Sequence, residues 1–390
     1  MFNPFLLNKE VQFFLNENAT TDFRVISLQK SKFKGIHPSE LAEQLKGKQI
    51  AKSKFPLLYE TPNIFYPPSL NLEQSSSQIT AFYKSNLISA KSMIDLTAGM
   101  GIDAYFFAQK VKKIVAIEQN KELVEICQHN YKTLNQSNLT YIHQNFSEFF
   151  KENPTEKWDL IYLDPARRKN AKKKFLLEDL EPNILNWMNI FFEKSPQVMI
   201  KLSPLMDIYK VITQIPFIQE IHLIAVKNEM KEMLLICRKT ENQNPLIKAV
   251  NLETEQKSCE LYFEEESSAK ADYSIVKSYL YEPNSALMKS GAFKWIAQKF
   301  HLFKLEINTH LYTSNELKSD FPGKIYEVKE ELKNEKQSLK NGKFHVVAKN
   351  YPLKTEEIRK KYHLKEGEGQ SLFFIKTQKG LQHFLCHRIK

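Results

Sequence analysis

The chain has 390 residues, of which 42% are apolar and 26% charged, a composition that excludes a chain disordered throughout. It holds no run approaching the ~18 apolar residues of a membrane helix. Its first residues lack the basic-then-apolar order of a signal peptide, so we expect a cytoplasmic protein with no membrane partner. Four separate cysteines without a C-x-x-C pair favour neither a disulfide framework nor a metal site. The net charge of +11 suits a polyanion partner or a solvated lysine surface.

The first 75 residues predict mainly helices, because apolar residues recur at helical spacing. The proline-rich stretch from Thr61 to Pro68 predicts a linker, and a further helix is expected near residues 79–87.

From about residue 90, strand-like and helix-like segments alternate. Strands are expected at 93–96, 113–117, 139–143, 158–163 and 197–202, and helices at 103–109, 121–134 and 178–192. This alternation predicts an α/β fold with a Rossmann-like parallel sheet. Residues 220–226 and 233–237 have too short a connector for a crossover helix, so we expect an antiparallel hairpin at the sheet edge.

The strongest motif follows the first of these strands and opens the next helix. It includes two of only ten glycines in the chain, which let the backbone turn sharply and approach a ligand. We expect a side chain at Gly101 to occupy the ligand's space. The candidate cofactor-binding residues of this motif are Asp95, Thr97, Ala98, Gly99, Gly101 and Asp103.

Polar residues end the next two strands, at the edge where open α/β sheets bind ligands. Glu118 is placed to accept both hydroxyls of a ribose, and Asn145 could meet the amino edge of an adenine. Each has an alternative interpretation, a solvated acid for Glu118 and a helix cap for Asn145.

The charge of the motif discriminates between two cofactors. Gly99 to Ala104 also fits the G-x-G-x-x-A fingerprint of nicotinamide oxidoreductases. Asp95, however, would repel a pyrophosphate and suits a cationic amino-acid tail. S-adenosylmethionine carries an ammonium and a sulfonium but no phosphate, so the motif favours S-adenosylmethionine.

The fourth strand ends in Asp164 and Pro165, where the chain would face the cofactor's methyl group. A carboxylate and a donor-free backbone can hold a base nitrogen, although a simple strand-ending turn is the alternative. Arg167 is the third candidate catalytic residue, because a guanidinium can stack on a base. Lys201, at the end of the fifth strand, either faces this site or extends into solvent.

A basic run follows the Asp-Pro turn. If it grips RNA phosphates rather than forming a solvated loop, it holds RNA beside the reacting base. The candidate RNA-binding residues are Arg167, Arg168, Lys169, Lys172, Lys173 and Lys174.

The motif from Asp95 to Asp103, with Glu118, Asn145, Asp164-Pro165 and the hairpin, resembles a class I S-adenosylmethionine-dependent methyltransferase over roughly residues 72–240. The segments 163–168, 200–204 and 282–284 resemble a bacterial group of these enzymes with a THUMP-like C-terminal region. The resemblance implies that the segment containing Gln74 and Ser76 lies over the cofactor and that RNA is the substrate. Amino-group methyltransferases commonly have Pro and an aromatic residue where Ala166 and Arg167 stand, which leaves the methylated atom open.

The implied organisation has four parts. They are a helical N-terminal region (1–71), a methyltransferase domain (72–240), linker strands with a ferredoxin-like region (241–320) and a THUMP-like domain (321–390). Residues 324–365 hold twelve Lys or Arg and six Asp or Glu, a local surplus that favours RNA.

We therefore expect an S-adenosylmethionine-dependent methyltransferase that modifies a base nitrogen of rRNA or tRNA. The alternatives are a methyltransferase for small molecules or proteins, and a non-catalytic RNA-binding protein that retains the fold. No cysteine adjoins the Asp-Pro turn, so a covalent, carbon-methylating mechanism is not supported.

Overall fold

The structure is a computed structural model that describes residues 2–167, 176–332, 339 and 341–390. The chain divides into two compact units. The first comprises residues 1–202 and 235–241, and the second comprises residues 203–234 and 242–390. No helix in the described part of the chain is long and apolar enough to cross a membrane.

The first unit begins with helices and continues as an alternating α/β region. Its α-helices are α1 (Lys9–Glu17), α2 (Phe23–Ser27), α3 (Pro38–Lys54), α4 (Pro56–Glu60), α5 (Ser69–Gln74), α6 (Gln78–Ser85), α7 (Ile102–Ala108), α8 (Lys121–Thr133), α9 (Phe146–Glu152) and α10 (Ile184–Lys194). Its strands are β1 (Ser92–Asp95), β2 (Lys113–Glu118), β3 (Leu139–His143), β4 (Leu160–Leu163), β5 (Ala166–Arg167), β6 (Leu180–Glu181) and β7 (Gln197–Leu202). Short 3-10 helices span Pro4–Leu7 and Leu177–Asp179.

The parallel sheet expected from the sequence is confirmed. Its strands in the first unit lie in the order β3-β2-β1-β4-β7, and every neighbouring pair is parallel. Most residues of β1, β4 and β7 are apolar and buried, as in Met93, Ile94, Ile161 and Ile200, because helices cover both faces of such a sheet. The carboxyl ends of β1, β2, β3 and β4 consequently lie along one edge.

The N-terminal helices have an apolar core of their own. Leu6, Val11, Leu41 and Leu45 are among its buried members. The stretch that was expected to be a linker, Thr61 to Pro68, is instead partly buried. The backbone N–H and C=O of Phe65 both bond to the side chain of Asn130 on α8, which fixes this stretch against the sheet's helices.

The prediction of one long helix over residues 178–192 is wrong for its first residues. Residues 180–181 form β6, which pairs antiparallel with β5, and α10 begins only at Ile184. Pro182 explains the difference, because it cannot donate a helical hydrogen bond and disfavours helical backbone in the residue before it. The side chain of Asn183 caps α10 by accepting from the N–H of Leu185.

The second unit contains the remaining elements. Its helices are α11 (Ile208–Gln214), α12 (Glu265–Ser268), α13 (Ser285–Lys289), α14 (Phe293–Lys299) and α15 (Thr355–Tyr362). Its strands are β8 (Ile218–Val226), β9 (Glu229–Arg238, whose last residues fall in the first unit), β10 (Leu246–Leu252), β11 (Cys259–Tyr262), β12 (Tyr279–Pro283), β13 (Phe303–Glu306), β14 (Thr309–Ser314), β15 (Gly323–Glu331), β16 (His345–Lys349), β17 (Gln370–Thr377) and β18 (Gly380–Arg388).

The expected hairpin is present as β8 and β9, joined by a two-residue turn at Lys227 and Asn228 with φ of 49° and 67°. The prediction that this hairpin lies at the sheet edge is wrong. All seven residues of β10 pair parallel with β8, and β11 pairs antiparallel with β10. These strands satisfy the peptide groups that an edge strand would expose.

A separate seven-stranded sheet forms the C-terminal part, in the order β13-β14-β12-β15-β18-β17-β16. Its neighbouring strands are antiparallel except for the parallel pair β16 and β17. Two buried clusters support it, one around Leu280 and Phe373 and the other around Ile358 and Phe374. This mixed region fits the ferredoxin-like and THUMP-like expectation, while the four domain boundaries stay predictions.

Candidate active site

The glycine motif forms a tight loop between β1 and α7. Gly99 and Gly101 have φ of 56° and 74°, a left-handed backbone that glycine adopts without strain. A Cβ on Gly99 would have no atom within 4 Å, whereas one on Gly101 would lie 1.6 Å from the hydroxyl of Tyr141. The expectation that Gly101 leaves space for a ligand is therefore wrong, since that space belongs to Tyr141, and Gly99 has the open side.

Glu118, at the end of β2, is bonded to this loop. Its Oε2 accepts from the N–H of Gly99 at 2.9 Å, and its Oε1 accepts from the N–H of Asn120 at 2.8 Å. The N–H of Ala98 bonds to the carbonyl of Ile117 on the same strand. Each carboxylate oxygen can accept more than one hydrogen bond, so Glu118 can hold the loop and still receive a ligand hydroxyl.

Asp95 is a carboxylate with little solvation at the end of β1. It is 1% exposed, and its Oδ1 accepts from the N–H of Thr97 at 3.0 Å. Burial raises the pKa of Asp95 well above its usual range, the Thr97 N–H opposes this, and the nearby carboxylates Asp103, Asp164 and Glu118 add to it. Among the described residues no cation forms an ion pair with Asp95. A cationic ligand would relieve this unfavourable electrostatics.

Asp164 follows β4 and is held from both sides. Its N–H donates to the hydroxyl of Thr97 at 2.6 Å, and its Oδ2 forms an ion pair with Lys201 of β7. Pro165 beside it is buried. The backbone of Arg167 continues into β5, opposite Leu180 of β6. Asp164 is 34% exposed in its side chain, so it remains accessible to a substrate.

Asp103 belongs to a buried polar cluster. Its Oδ2 accepts from the hydroxyls of Ser76 at 2.8 Å and Tyr162 at 2.7 Å, while its Oδ1 lies 3.0 Å from Lys84 Nζ. Burial alone would raise the pKa of Asp103, but the charges of Lys84 and then Lys201, with the two hydroxyl donors, lower it. Asp103 and Ser76 are thus bonded to other side chains of the protein, and their role toward the cofactor stays a prediction.

Lys84 and Tyr162 are members of this cluster that the sequence analysis did not find. Lys84 is completely buried and also donates to Ser76 at 2.8 Å. A lysine on an amphipathic helix and a tyrosine in a strand give no signal of a polar cluster until the fold brings them together.

Two expected cofactor residues lie apart from this cluster. Gln74 is exposed at the last turn of α5. Asn145 is exposed and caps α9, its Oδ1 accepting from the N–H of Ser147 at 2.9 Å and from the Ser147 hydroxyl at 2.7 Å. The helix-cap interpretation of Asn145 therefore describes its contacts, and its role toward an adenine stays a prediction.

The basic run lies mostly outside the described residues. Only the backbone of Arg167 is described, and the rest of the run, Arg168, Lys169, Lys172, Lys173 and Lys174, is not. No group of three or more potential metal ligands occurs among the described residues. The structure brings together Asp95, Gly99, Glu118, Thr97 and Asp164, at the carboxyl ends of three neighbouring strands.

Comparisons with known proteins agree with this architecture. A family described as "Conserved hypothetical protein 95" matches residues 78–210, a ferredoxin-like domain matches 279–322, and a "THUMP domain-like" family matches 323–388. The crystal structure of a "putative methyltransferase" from Porphyromonas gingivalis W83 superimposes with a TM-score of 0.86 at 27% identity and covers 98% of both chains.

Several curated relatives match part of the chain, and two of them are RNA methyltransferases by name. An uncharacterized RNA methyltransferase of Mycoplasma mobile is 28% identical over 127 residues, which are 33% of this chain and 30% of that protein. The 23S rRNA (uracil(1939)-C(5))-methyltransferase RlmD of Aliivibrio salmonicida is 28% identical over 134 residues, which are 34% of this chain and 30% of that protein. The chain thus spans less than a third of the length of these relatives. With the sheet order and the glycine loop at its carboxyl edge, these matches show the class I methyltransferase fold, followed by a ferredoxin-like and a THUMP-like region.

Proposed function

We propose that the protein methylates a base nitrogen of RNA, with rRNA or tRNA as the substrate. The observation that carries the proposal is the placement of Asp164, a partly exposed carboxylate fixed beside the glycine loop by Thr97 and Lys201. Bound S-adenosylmethionine would supply an electrophilic methyl group. A nitrogen lone pair would form the new N–C bond, the C–S bond would break to release S-adenosylhomocysteine, and the proton would pass from the nitrogen to the Asp164 carboxylate.

The residues at the loop fit this cofactor. Asp95 offers a buried negative charge to a cationic ligand, and Glu118 offers carboxylate oxygens to ribose hydroxyls. Gly99 has open space where any other residue would place a Cβ. A dinucleotide would bring its pyrophosphate toward Asp95 and Glu118, which disfavours a nicotinamide cofactor.

Asp164 suits a nitrogen nucleophile. An ionised carboxylate only accepts hydrogen bonds, so it can take an N–H of the target base and direct the nitrogen lone pair away from itself. Its fixed position would contribute chiefly by holding the nucleophile in line, a proximity effect.

Carbon methylation is the alternative suggested by the name of the RlmD relatives. Attack by a pyrimidine C5 carbon requires prior addition of a nucleophile to the ring, for which a thiolate is suited. Cys127, the cysteine beneath the loop, is buried and its thiol donates to the carbonyl of Gly99 at 3.6 Å. Burial raises the pKa of the Cys127 thiol, and no cysteine occurs between residues 128 and 236. These facts favour nitrogen over carbon.

RNA as the substrate rests on three observations. The two curated relatives given above are named as RNA methyltransferases, residues 323–388 match a THUMP-like family, and residues 324–365 carry a surplus of basic residues. A small-molecule or protein substrate would leave this basic surplus without a role. A non-catalytic RNA-binding protein would not need Asp164 to be held in place by Thr97 and Lys201.

The test is mass spectrometry of nucleosides from the RNA of cells with and without the protein. A base carrying an N-methyl group should be lost without the protein and restored by the wild type, but not by Asp164→Ala. Glu148→Ala, which removes an exposed carboxylate from the first turn of α9, is the matched control and should restore it. Loss of a C-methylated base would overturn the nitrogen assignment, and an unchanged RNA nucleoside profile would overturn the RNA substrate.

A further inference from the structure

Asp164, directly after β4, bonds to residues at the ends of both strands that flank β4. β4 lies between β1 and β7 in the sheet. Thr97, just after β1, accepts from the backbone N–H of Asp164 at 2.6 Å. Lys201, on β7, forms an ion pair with the Oδ2 of the same residue. One flanking strand therefore fixes the backbone of Asp164 and the other fixes its side chain.

Lys201 is not a lysine that extends into solvent. Its side chain is only 11% exposed, and its charge acts on Asp103 as well as on Asp164. Its charge thus acts on two carboxylates, Asp103 in the buried cluster and Asp164 at the substrate side, and it forms an ion pair with the second. The solvent-exposed alternative for Lys201 is therefore excluded.

The ion pair also assigns the two oxygens of Asp164. Oδ2 is engaged by Lys201, and the described residues give Oδ1 no hydrogen-bond donor. A carboxylate held at one oxygen loses its rotation about the Cβ–Cγ bond and presents the other oxygen in one direction. The thermal unfolding midpoint measures separately what the ion pair contributes to stability.

We propose that Lys201 is a positioning residue for methyl transfer, which orients the Asp164 carboxylate so that Oδ1 receives the N–H of the target base. This inference rests on the proposed function, because it assumes that Asp164 meets a base nitrogen. Lys201 itself need not touch the base, and its effect passes through Asp164.

The test compares Lys201→Met, which keeps the length of the side chain without its charge, with Lys201→Arg, which keeps a cationic donor. Single-turnover methylation is measured with saturating cofactor and RNA, together with the dissociation constants of both ligands and the thermal unfolding midpoint. We expect Lys201→Met to slow methylation on the order of 10- to 100-fold, as expected for a misplaced catalytic group, with both dissociation constants changed less than about threefold. Lys201→Arg should recover most of the rate.

Lys248→Met is the matched control, because Lys248 on β10 also forms a partly buried ion pair, with Glu220 at 2.8 Å. It should methylate at the wild-type rate. A wild-type rate for Lys201→Met would overturn the inference, and so would a slow rate accompanied by an equal loss of cofactor binding or no rescue by arginine. A wild-type protein that binds the cofactor but methylates no RNA would instead overturn the proposed function and the inference with it.

Discussion

Gly101 and Tyr141 occupy adjoining space, so that the absence of a side chain on the glycine makes room for the tyrosine hydroxyl. A Cβ on Gly101 would approach that hydroxyl to 1.6 Å and the ring carbon Cζ to 2.7 Å. The Tyr141 ring is itself buried and stacks on Tyr131, with ring centroids 5.7 Å apart. The Tyr131 hydroxyl in turn donates to the carbonyl of Met100 in the loop. The second glycine of the motif is therefore required by packing beneath the loop.

Substitutions at the two glycines should consequently differ in effect. Gly101→Ala should lower the free energy of unfolding by on the order of 3 kcal/mol, since overpacking and left-handed strain add. Gly99→Ala should cost only about 1–2 kcal/mol, for the strain alone, yet weaken cofactor binding, because its methyl group enters the open side of the loop. Denaturant unfolding and calorimetry with S-adenosylmethionine measure the two effects separately.

A second substitution checks the cause. Tyr141→Phe removes the hydroxyl and should restore part of the stability lost in Gly101→Ala, although the close approach to Cζ remains. If Gly101→Ala unfolds like the wild type but loses the cofactor, the space at Gly101 belongs to the ligand after all.

Asp95 should link cofactor binding to pH. Burial raises the pKa of Asp95, and a bound cation would lower it again, so binding should release a proton. Affinity for S-adenosylmethionine should therefore fall as the pH falls through the raised pKa of the free protein. Calorimetry in buffers of different ionisation enthalpy measures the released proton directly. The release should vanish in Asp95→Asn, whose affinity should be at least about tenfold weaker because a charged partner is lost.

Asp95 should also make the free energy of unfolding depend on pH, in the opposite direction to a carboxylate that is paired with a cation. In the unfolded chain Asp95 titrates near 3.8, whereas the folded protein keeps its proton to higher pH. Between these values the native state binds more protons, so the contribution of Asp95 to the free energy of unfolding falls as the pH rises. Above the folded pKa, Asp95→Asn should be more stable than the wild type. A wild type that stays more stable than this variant at every pH up to the alkaline limit of folding would mean that Asp95 has a compensating partner.

The buried pair of Lys84 and Asp103 should be costly to break. Either Lys84→Met or Asp103→Asn leaves one group buried without its charged partner and should lower the free energy of unfolding by about 3–5 kcal/mol. The double variant should lose clearly less than the sum of the two, because no uncompensated charge remains. Urea unfolding of the four proteins gives this coupling energy.

Loss of the Lys84–Asp103 pair should affect stability but not the affinity for the cofactor. Once folded, Asp103→Asn should bind S-adenosylmethionine with an affinity close to that of the wild type, since its carboxylate oxygens are engaged with Ser76, Tyr162 and Lys84. Additive losses of stability together with a large loss of cofactor affinity would show that Asp103 contacts the cofactor instead.

The sequence predicted what depends on local pattern. The strand ends, the glycine loop and the Asp-Pro turn can be predicted from hydrophobic periodicity and from glycine and proline. The carboxyl ends of parallel strands lie at the same edge of a sheet, so the site could be placed there. The partners of these residues could not be predicted. Tyr162 meets Asp103 across 59 positions and Lys201 meets Asp164 across 37, and such pairings exist only once the strand order is known.

The errors have equally local causes. The periodic run from 178 to 192 resembles one helix, but Pro182 lies within it and the chain instead turns back as β6. The sequence predicts the hairpin at the edge because the strand-like residues 247–252 carry no signal of the sheet that they join. They pair parallel with β8. β9 lies between the two strands in the chain, so local sequence pattern does not reveal that β8 and β10 are neighbours.

The basic run after the Asp-Pro turn should act on RNA affinity and not on the chemical step. Replacing Lys172, Lys173 and Lys174 by glutamine should weaken RNA binding and flatten its dependence on salt by roughly 0.7–0.9 log units for each lysine that pairs with a phosphate. Methylation at saturating RNA should stay near the wild-type rate, because uniform binding does not lower the barrier of the bound complex. The matched control replaces Lys30, Lys32 and Lys34, three exposed lysines of the N-terminal region, and changes the net charge equally. If both triple variants lower RNA affinity and the salt dependence to the same extent, the effect is one of total charge and the run beside Asp164 is an ordinary solvated loop.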